Sequence, residues 1–228
     1  MNVAAVVLAR MDSARLPGKA MRLVRGLPVI HYVIARAQRI AGAEAVLATT
    51  ARPADDALAA YAAQMGVRVY RGSASDVAGR MLGAALDCGA DAVVRVNGDS
   101  VFADPELIGE GLRRCGEADF VTNLIGRTFP YGVSVEIVKT ETYQRACTRI
   151  TTAQQREHPT SVLYEHADDF SVATLLSPHP ELKGARLVID TAEDLEAFRR
   201  LTDELGERVL AVGYREAAAR YLEATATR

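Results

Sequence analysis

VAAVVLA at residues 3–9 is followed directly by RMDSARLPGK at residues 10–19, and this junction decides the fold. An unbroken apolar run of seven residues predicts a buried strand. Pro17-Gly18 breaks any helical periodicity, so the polar segment is predicted to be a loop at the carboxyl end of that strand. In an open α/β sheet, the loops at this edge line the crevice in which ligands bind.

Beyond this segment, short apolar runs alternate with longer stretches of helical period. Further strands are predicted at residues 45–49, 67–70, 92–96, 133–138 and 186–189. Helices are predicted at residues 28–40, 55–65, 76–87 and 140–150, from Asp104-Pro105 onward, and from the capping sequence at Thr191 to about Leu205. This alternation predicts an α/β fold with a mostly parallel central sheet and helices on both faces.

The composition favours one compact domain over residues 1–228, with 49% hydrophobic and 25% charged residues. A net charge of −2 and a pI near 6.1 give no broad basic surface for nucleic acid or an anionic membrane, so the expected partner is a small molecule. The three scattered cysteines do not suit a disulfide framework or a Cys-x-x-Cys metal site. The apolar run at residues 3–9 is too short for a signal segment or a membrane span, so the expected location is the cytoplasm.

The loop at residues 10–19 carries three cations, Arg10, Arg15 and Lys19, within ten residues. Two unit charges of the same sign about 4 Å apart repel by roughly 4 kcal/mol at an effective dielectric constant of ~20, and an anion converts that repulsion into attraction. Arginine forks, a lysine point charge, the Ser13 hydroxyl and backbone N–H groups together suit a polyphosphate. The alternative is a solvated basic loop without a ligand.

Two acids follow predicted strands and point to a metal. Asp99 comes after Asn97-Gly98 at the end of the strand at 92–96, at the same sheet edge as the basic loop. A carboxylate beside a triphosphate requires an intervening cation, and Mg²⁺ takes one or two protein carboxylates together with phosphate oxygens. Asp190 also stands between a strand and a helix, where an isolated Asp is more often a helix cap. Its pairing with Asp99 favours the metal.

Three motifs, ARMDSARLPGK at residues 9–19, NGD at 97–99 and VIDTAEDL at 188–195, together resemble the CMP-sugar synthetases. The similarity is greatest to the branch typified by the spore-coat polysaccharide biosynthesis protein, with the CMP-Kdo synthetases more distant. It extends from residue 3 to about residue 198 and includes RGS at 71–73, FPYGVSVE at 129–136, REHPT at 156–160 and YEH at 164–166.

The resemblance implies a Rossmann-like nucleotide-diphospho-sugar transferase fold and a homodimer. It implies that residues from about 1 to 118 bind the nucleotide and that residues from about 119 to 228 bind the acceptor and supply the second metal ligand. The implied activity is transfer of CMP from CTP to a small acidic acceptor, with release of pyrophosphate and with Mg²⁺ as cofactor. The acceptor is either a nonulosonic or ulosonic acid-type sugar, or a phosphonate or phosphate.

The resemblance also assigns roles to individual residues. The implied catalytic residues are Arg15, Lys19, Asp99 and Asp190, of which Asp99 and Asp190 hold the metal. The implied nucleotide contacts are Leu8, Ala9, Arg10, Ser13, Arg15, Lys19, Arg71, Gly72, Ser73, Asn97 and Gly98. The implied acceptor contacts are Asn123, Tyr131, Gly132, Glu136, His158 and His166.

Several alternatives stay open. Ser100-Val101-Phe102 and Pro159 depart from the family pattern, which leaves the acceptor undetermined. Glu136 either orients an acceptor hydroxyl or is an ordinary exposed strand residue. The rival functions are a nucleotide-sugar-dependent glycosyltransferase, which commonly uses an Asp-x-Asp metal motif, and a non-catalytic nucleotide-binding protein. The remaining histidines, His31 in a helix and His179 in a loop, are predicted to be structural.

Overall fold

The computed structural model describes residues 1–226. Within that range the chain forms a seven-stranded sheet and a two-stranded hairpin. The strands are β1 (Val3–Leu8), β2 (Leu23–Val24), β3 (Leu27–Pro28), β4 (Ala43–Thr50), β5 (Arg68–Gly72), β6 (Ala92–Asn97), β7 (Phe120–Thr122), β8 (Glu136–Lys139) and β9 (Val172–Thr174). The large sheet has the order β5-β4-β1-β6-β8-β7-β9, and β2 pairs with β3 in the hairpin.

One strand of the large sheet runs against the others. The pairings β5–β4, β4–β1, β1–β6 and β7–β9 are parallel, whereas β8 is antiparallel to both of its neighbours, β6 and β7. The first residue of β8 therefore lies at the same sheet edge as the carboxyl ends of the other strands. This arrangement confirms the predicted mostly parallel α/β sheet.

Helices cover both faces of the sheet. They are α1 (Val29–Ala37), α2 (Asp56–Gln64), α3 (Val77–Asp87), α4 (Pro105–Arg114), α5 (Thr140–Cys147), α6 (Ala153–Glu157), α7 (Ser161–Glu165), α8 (Ala192–Leu205) and α9 (Tyr214–Ala226). Alternate residues of β1 enter two separate cores: Val7 packs with residues of α1, α2, α8 and α9, and Val6 packs with residues of α3, α5 and α7. The period of two follows from the pleat of the strand.

Side-chain caps begin several helices as their sequences predict. Asp104 accepts hydrogen bonds from the amides of Glu106 and Leu107 at the start of α4. Thr191 and Asp194 form a reciprocal capping box at the start of α8, with Asp in the position usually held by Glu or Gln. These caps satisfy amides that have no partner within the helix.

The strand predicted at residues 186–189 is wrong, because this segment divides its hydrogen bonds between two partners. The Leu187 amide donates to the Tyr131 carbonyl oxygen at 2.7 Å, and the Ile189 amide donates to the Asp99 carbonyl oxygen at 3.1 Å. Only an isolated bridge between Tyr131 and Arg186 remains. The strand predicted at 133–138 begins at Glu136 instead, and the three-residue strands β7 and β9 were not predicted.

The remaining general predictions concern cysteines, histidines and membrane segments. All three cysteines are free. His31 lies beside the Tyr61 hydroxyl at 3.1 Å, and burial lowers its pKa, while His179 lies in a loop beside Glu181. None of the helices described within residues 1–226 has the length and apolar character required to cross a membrane.

Candidate active site

The site forms where the chain changes direction across the sheet. From β1 the chain moves outward to β4 and β5, and it then returns to place β6 on the other side of β1. Leu8 and Asn97 are directly paired at the ends of β1 and β6, so the two following loops diverge from the same point. Such a switch point is the place where open α/β sheets bind ligands.

Gly98 allows the two strand ends to approach closely. Its amide donates to the Leu8 carbonyl oxygen at 2.9 Å. A Cβ at Gly98 would lie 2.6 Å from the Ala9 Cβ and 2.9 Å from the Leu8 carbonyl oxygen, well inside van der Waals contact. Only glycine therefore fits between the basic loop and the segment that carries Asp99.

A cleft of about 840 Å³ opens at this edge, within the size range of small-molecule sites. Most of the residues predicted to contact ligands line it: Leu8, Ala9, Arg10, Ser13, Arg15, Lys19, Asn97, Gly98, Asp99, Asn123, Tyr131, Gly132, Glu136, His158 and Asp190. The cleft therefore unites segments that are separated by up to 182 positions in the sequence, from Leu8 to Asp190.

The two predicted metal acids meet at one ammonium group. Lys19 Nζ lies 2.5 Å from Asp99 Oδ2 and 3.2 Å from Asp190 Oδ1, and it also donates to the Ile189 carbonyl oxygen at 3.0 Å. The side chain of Lys19 is only 15% exposed, so water screens these contacts less than it would at the surface. One ammonium thus bridges the two carboxylates and offsets part of their charge.

Asp190 is held by further cations on its other side. Arg15 approaches its Oδ1 at 3.2 Å, and Arg186 approaches its Oδ2 at 3.3 Å. Arg186 also bonds Asp194 through two nitrogens, at 2.6 and 3.0 Å. Burial raises the pKa of Asp194, but the hydrogen bonds from Arg186 and from backbone amides outweigh burial and hold that pKa below its ordinary value. Asp194 in turn accepts from the Asp190 amide at 2.8 Å, which fixes the backbone of this predicted metal ligand.

The donor set fits Mg²⁺ completed by substrate oxygens. In the described part of the chain, no cluster of three or more His, Cys, Asp or Glu side chains is arranged to hold a metal. Mg²⁺ binds through one or two carboxylates, and substrate phosphates and water complete its shell. Asp99 and Asp190, which already converge on the ammonium of Lys19, supply that number of carboxylates.

A buried acid fixes the start of the basic loop. Asp55 is fully buried, and it accepts a hydrogen bond from the Met11 amide at 2.6 Å and another from the Thr50 hydroxyl. Arg10 is held separately: it donates to the Ala74 carbonyl oxygen at 3.0 Å and pairs with Glu157, at the end of α6, at 2.7 Å. The loop is therefore shaped before any ligand binds.

Four predicted contact residues lie outside the cleft lining. Arg71 turns back to donate to the carbonyl oxygens of Thr50 and Arg52, and neither Gly72 nor Ser73 lines the cleft. His166 follows the last residue of α7, and its ring nitrogen lies 3.9 Å from Asp169. His166 does not line the cleft, so the geometry does not support an acceptor contact from it.

Glu136 is not an exposed strand residue, because it is only 2% exposed. Its carboxylate pairs with Arg95 at 2.6 Å and accepts a hydrogen bond from the Tyr164 hydroxyl at 3.0 Å. Burial and the neighbouring carboxylate of Glu136 raise the pKa of Tyr164, so this hydroxyl stays a donor at neutral pH. The group forms a rigid floor beneath the part of the cleft that the resemblance assigns to the acceptor.

Asn123 and Gly132 shape the wall of the cleft rather than offering free donors. The Asn123 amide group donates to the Val133 carbonyl oxygen and accepts from the Val135 amide, both at 2.8 Å. Gly132 has φ +99°, and a Cβ there would lie 2.4 Å from the Leu187 carbonyl oxygen. Asn123 therefore closes the loop between β7 and β8 on itself, and Gly132 lets that loop approach the segment that leads to Asp190.

Sequence reasoning missed several cleft cations and the acid that orders the loop. Arg95, Arg127 and Lys183 line the cleft. Arg186 contacts Asp190, which also lines it, and Asp55 holds the basic loop through the Met11 amide. Arg95 had a visible signal, because it is a lone charge within the apolar run Val93–Val96 of β6. Arg127 lies in a loop and Lys183 in a single 3-10 turn, where no periodic pattern predicts the direction of a side chain.

Comparisons with known proteins agree with this geometry. The family model for cytidylyltransferases matches residues 4–222. The spore coat polysaccharide biosynthesis protein SpsF of Bacillus subtilis is 28% identical over 211 residues, covering 89% of this chain and 87% of SpsF. A cytidylyltransferase structure from Leptospira borgpetersenii superposes with a TM-score of 0.87 at 26% identity, covering 99% of this chain and 95% of the other.

A more distant structure shares the fold. CMP:2-keto-3-deoxy-manno-octonic acid synthetase complexed with CTP superposes with a TM-score of 0.63 at 18% identity, covering 90% of this chain and 99% of the other. The resemblance carried by the sequence motifs is thereby confirmed.

Proposed function

Because this chain belongs to the cytidylyltransferase family, we propose that it transfers CMP from CTP to a small acidic acceptor and releases pyrophosphate. The observation that carries the proposal is the convergence of Lys19, Asp99 and Asp190 at the switch point of the sheet. A polyphosphate and a divalent cation can be accommodated together only where cationic and anionic side chains meet in this way.

The basic loop would bind the triphosphate. Arg10, Arg15 and Lys19 all line the cleft, and each is now paired with a carboxylate. Phosphate oxygens can replace those carboxylates as partners, and Ser13 can add a hydroxyl donor. Leu8, Ala9 and Asn97, at the ends of β1 and β6, are then the residues best placed for the base, since Arg71 lies outside the cleft lining.

Asp99 and Asp190 would hold Mg²⁺, which supplies charge neutralisation at the α-phosphate when bound. With the two acids so occupied, Lys19 and Arg15 are free to stabilise the departing pyrophosphate. An acceptor oxygen forms a bond to the α-phosphorus while the bond from that phosphorus to the bridging oxygen of the β-phosphate breaks, so the products are CMP joined to the acceptor and pyrophosphate. A hydroxyl acceptor releases its proton to water, whereas a phosphonate or phosphate oxygen is already ionised. The chain contributes mainly positioning and charge.

The acceptor would lie against the second half of the chain, from about residue 119 onward. Tyr131, Gly132 and His158 line that side of the cleft, above the pair formed by Arg95 and Glu136. Since the Glu136 carboxylate is already bonded to Arg95 and Tyr164, its role is to support the wall. His158 is exposed there and can contact an acceptor directly.

The test is Mg²⁺-dependent release of pyrophosphate from each of the four nucleoside triphosphates, with a panel of ulosonic acids, nonulosonic acids and phosphonates. The informative variant is Asp99→Asn, and the matched control is Asp203→Asn, which changes an exposed acid on α8 outside the cleft. We expect release with CTP and one acceptor, a loss of about 100-fold or more in Asp99→Asn, and no change in the control.

Each contrary result identifies a different function. Release of a nucleoside diphosphate from a nucleotide sugar would indicate the glycosyltransferase. CTP binding without turnover on any acceptor would indicate a non-catalytic nucleotide-binding protein. Absence of both CTP binding and turnover would refute the proposal.

A further inference from the structure

Two cations of the cleft have no side-chain partner among the residues that the structure describes. Arg127 and Lys183 line the cleft, and within residues 1–226 neither has a hydrogen bond or an ion pair from its side chain. The other cations that line it are each in contact with a carboxylate: Arg10, Arg15, Lys19 and Arg95. Within the described cleft, Arg127 and Lys183 therefore carry the positive charge that is not paired with a carboxylate of the protein.

The acids of the cleft cannot neutralise that surplus, because each has a partner already. Asp12 pairs with Arg52, Glu157 with Arg10, and Glu136 with Arg95. Asp99 and Asp190 share Lys19. Positive charge without a counter-charge in a concave site attracts an anionic ligand.

The backbone presents Arg127 in an unfavourable conformation. Arg127 has φ +46°, directly after Gly126 with φ +78°, and a non-glycine residue keeps a left-handed conformation only where its surroundings enforce it. Here Asn123 closes the base of the loop onto Val133 and Val135. On the other side, the Thr128 hydroxyl accepts a hydrogen bond from the Ser177 amide at 2.8 Å. The turn is thus held in place without a ligand.

Lys183 reaches the same wall through backbone pairing. It lies in the 3-10 turn Pro180–Gly184, two residues before Ala185. The Ala185 carbonyl oxygen accepts from the Tyr131 amide at 3.1 Å, and the Tyr131 carbonyl oxygen accepts from the Leu187 amide at 2.7 Å. These bonds fasten the segment that carries Lys183 to the loop that carries Arg127.

We propose that Arg127 and Lys183 form the subsite that binds the anionic group of the acceptor, a carboxylate or a phosphate-type group. Arginine offers a planar fork and lysine a point charge, a combination that suits either anion. The inference rests on the proposed transfer to an acidic acceptor. It assigns recognition of the acid to two residues that are separate from the triphosphate loop and from the metal acids.

The test compares the double variant Arg127→Asn/Lys183→Gln with the wild type in the pyrophosphate-release assay. Asparagine is chosen because it tolerates the left-handed conformation. The matched control is Arg113→Gln/Arg200→Gln, which removes two exposed cations of α4 and α8 outside the cleft. We expect the acceptor KM to rise roughly tenfold or more in the double variant, since a hydrogen bond to a charged group is lost at each position. The kcat and the KM for CTP should stay at wild-type values, and the control should match the wild type throughout.

Assays with ulosonic acids and with phosphonates identify the anion that the subsite binds. A rise in the acceptor KM of the double variant that is confined to ulosonic acids indicates a carboxylate, and a rise confined to phosphonates indicates a phosphate-type group. An unchanged acceptor KM in the double variant would overturn the subsite while leaving the transfer reaction intact.

If no acceptor is turned over by the wild type, the proposed reaction fails. Calorimetric titration of inorganic phosphate and of acetate then decides the subsite. A binding event present in the wild type and the control but lost in the double variant supports it, and identical titrations refute it.

Discussion

Replacing Gly98 by Ala is expected to separate the two strand ends that form the site. The added Cβ would stand 2.6 Å from the Ala9 Cβ, whereas carbon atoms pack at about 3.5–4.0 Å, so the loop must move by about 1 Å. The φ of Gly98 is not positive, so the backbone accepts alanine without strain and the effect is steric. Overpacking of this kind costs about 1–3 kcal/mol of the free energy of unfolding. For a chain of this length that lowers the Tm by about 2–4 °C per kcal/mol.

The larger effect is expected on turnover. A displacement of about 1 Å in a catalytic constellation can reduce the rate about 100-fold, which corresponds to about 2.7 kcal/mol of transition-state stabilisation. The assay is pyrophosphate release, with kcat/KM for CTP as the measured quantity and thermal unfolding alongside. Gly109→Ala is the matched control, because a Cβ at Gly109 in α4 meets nothing within 4 Å and should raise stability by about 0.5–1 kcal/mol. Wild-type kcat/KM in Gly98→Ala would refute the argument from close approach.

Three further substitutions test hydrogen bonds that hold the basic loop, the core and the segment around Asp190. Asp55→Ala removes the acceptor that holds the basic loop and should raise the KM for CTP about tenfold in steady-state kinetics. Asp55→Asn can keep the hydrogen bonds to the Met11 amide and the Thr50 hydroxyl, so its KM for CTP should stay near the wild-type value. Equal effects of the two substitutions would contradict the role of Asp55 in shaping the loop. Arg36 is buried and donates to three carbonyl oxygens. Arg36→Met should therefore lower the free energy of unfolding, measured in urea, by about 3 kcal/mol or more, whereas the exposed Arg39→Met should lower it by less than about 1 kcal/mol. Similar losses in the two variants would refute a stabilising role for the buried hydrogen bonds of Arg36. The pKa of Asp194 is lower in the folded state than its ordinary value of 3.8. The stability that the ionised carboxylate contributes is therefore complete above about pH 4 and is lost as the pH falls through the folded value. Between about pH 5 and pH 3 the Tm of Asp194→Asn should fall less than that of the wild type, and parallel curves of Tm against pH would contradict this.

The sequence predicted the fold correctly for most of the helices, which satisfy their own backbone hydrogen bonds, and for strands that pair with the same neighbour along their whole length. β1, β4 and β6 are largely apolar runs buried within the sheet, and their sequences show it directly. The segment at 186–189 has the same apolar character, but its amides are divided between Tyr131 and Asp99. Hydrophobic pattern reports burial and not the identity of the partner, so the prediction of a strand there could not be corrected from the sequence.

The candidate site was predictable where motifs lie at strand ends. Asp99 and Lys19 follow β6 and β1, and the parallel register brings them together. By contrast, Arg71 was expected to face the ligand, yet its guanidinium donates to the carbonyl oxygens of Thr50 and Arg52 at the end of β4. Arg127 lies in a turn whose left-handed φ is imposed by Asn123 and Thr128, and such long-range constraints leave no local mark in the sequence.

The reversed direction of β8 has a consequence for how this architecture can diversify. The chain leaves the sheet at Thr122, at the end of β7, and re-enters it at Glu136, directly opposite in the antiparallel register. The intervening loop, which carries Arg127 and Tyr131, therefore starts and finishes on adjacent strands at one edge. Insertions or deletions between Thr122 and Tyr131 need not shift the register of any strand, whereas Tyr131 itself is bonded to the segment that leads to Asp190. Mutations in this part of the loop can therefore change the wall proposed to bind the acceptor without changing the residues proposed to bind the nucleotide.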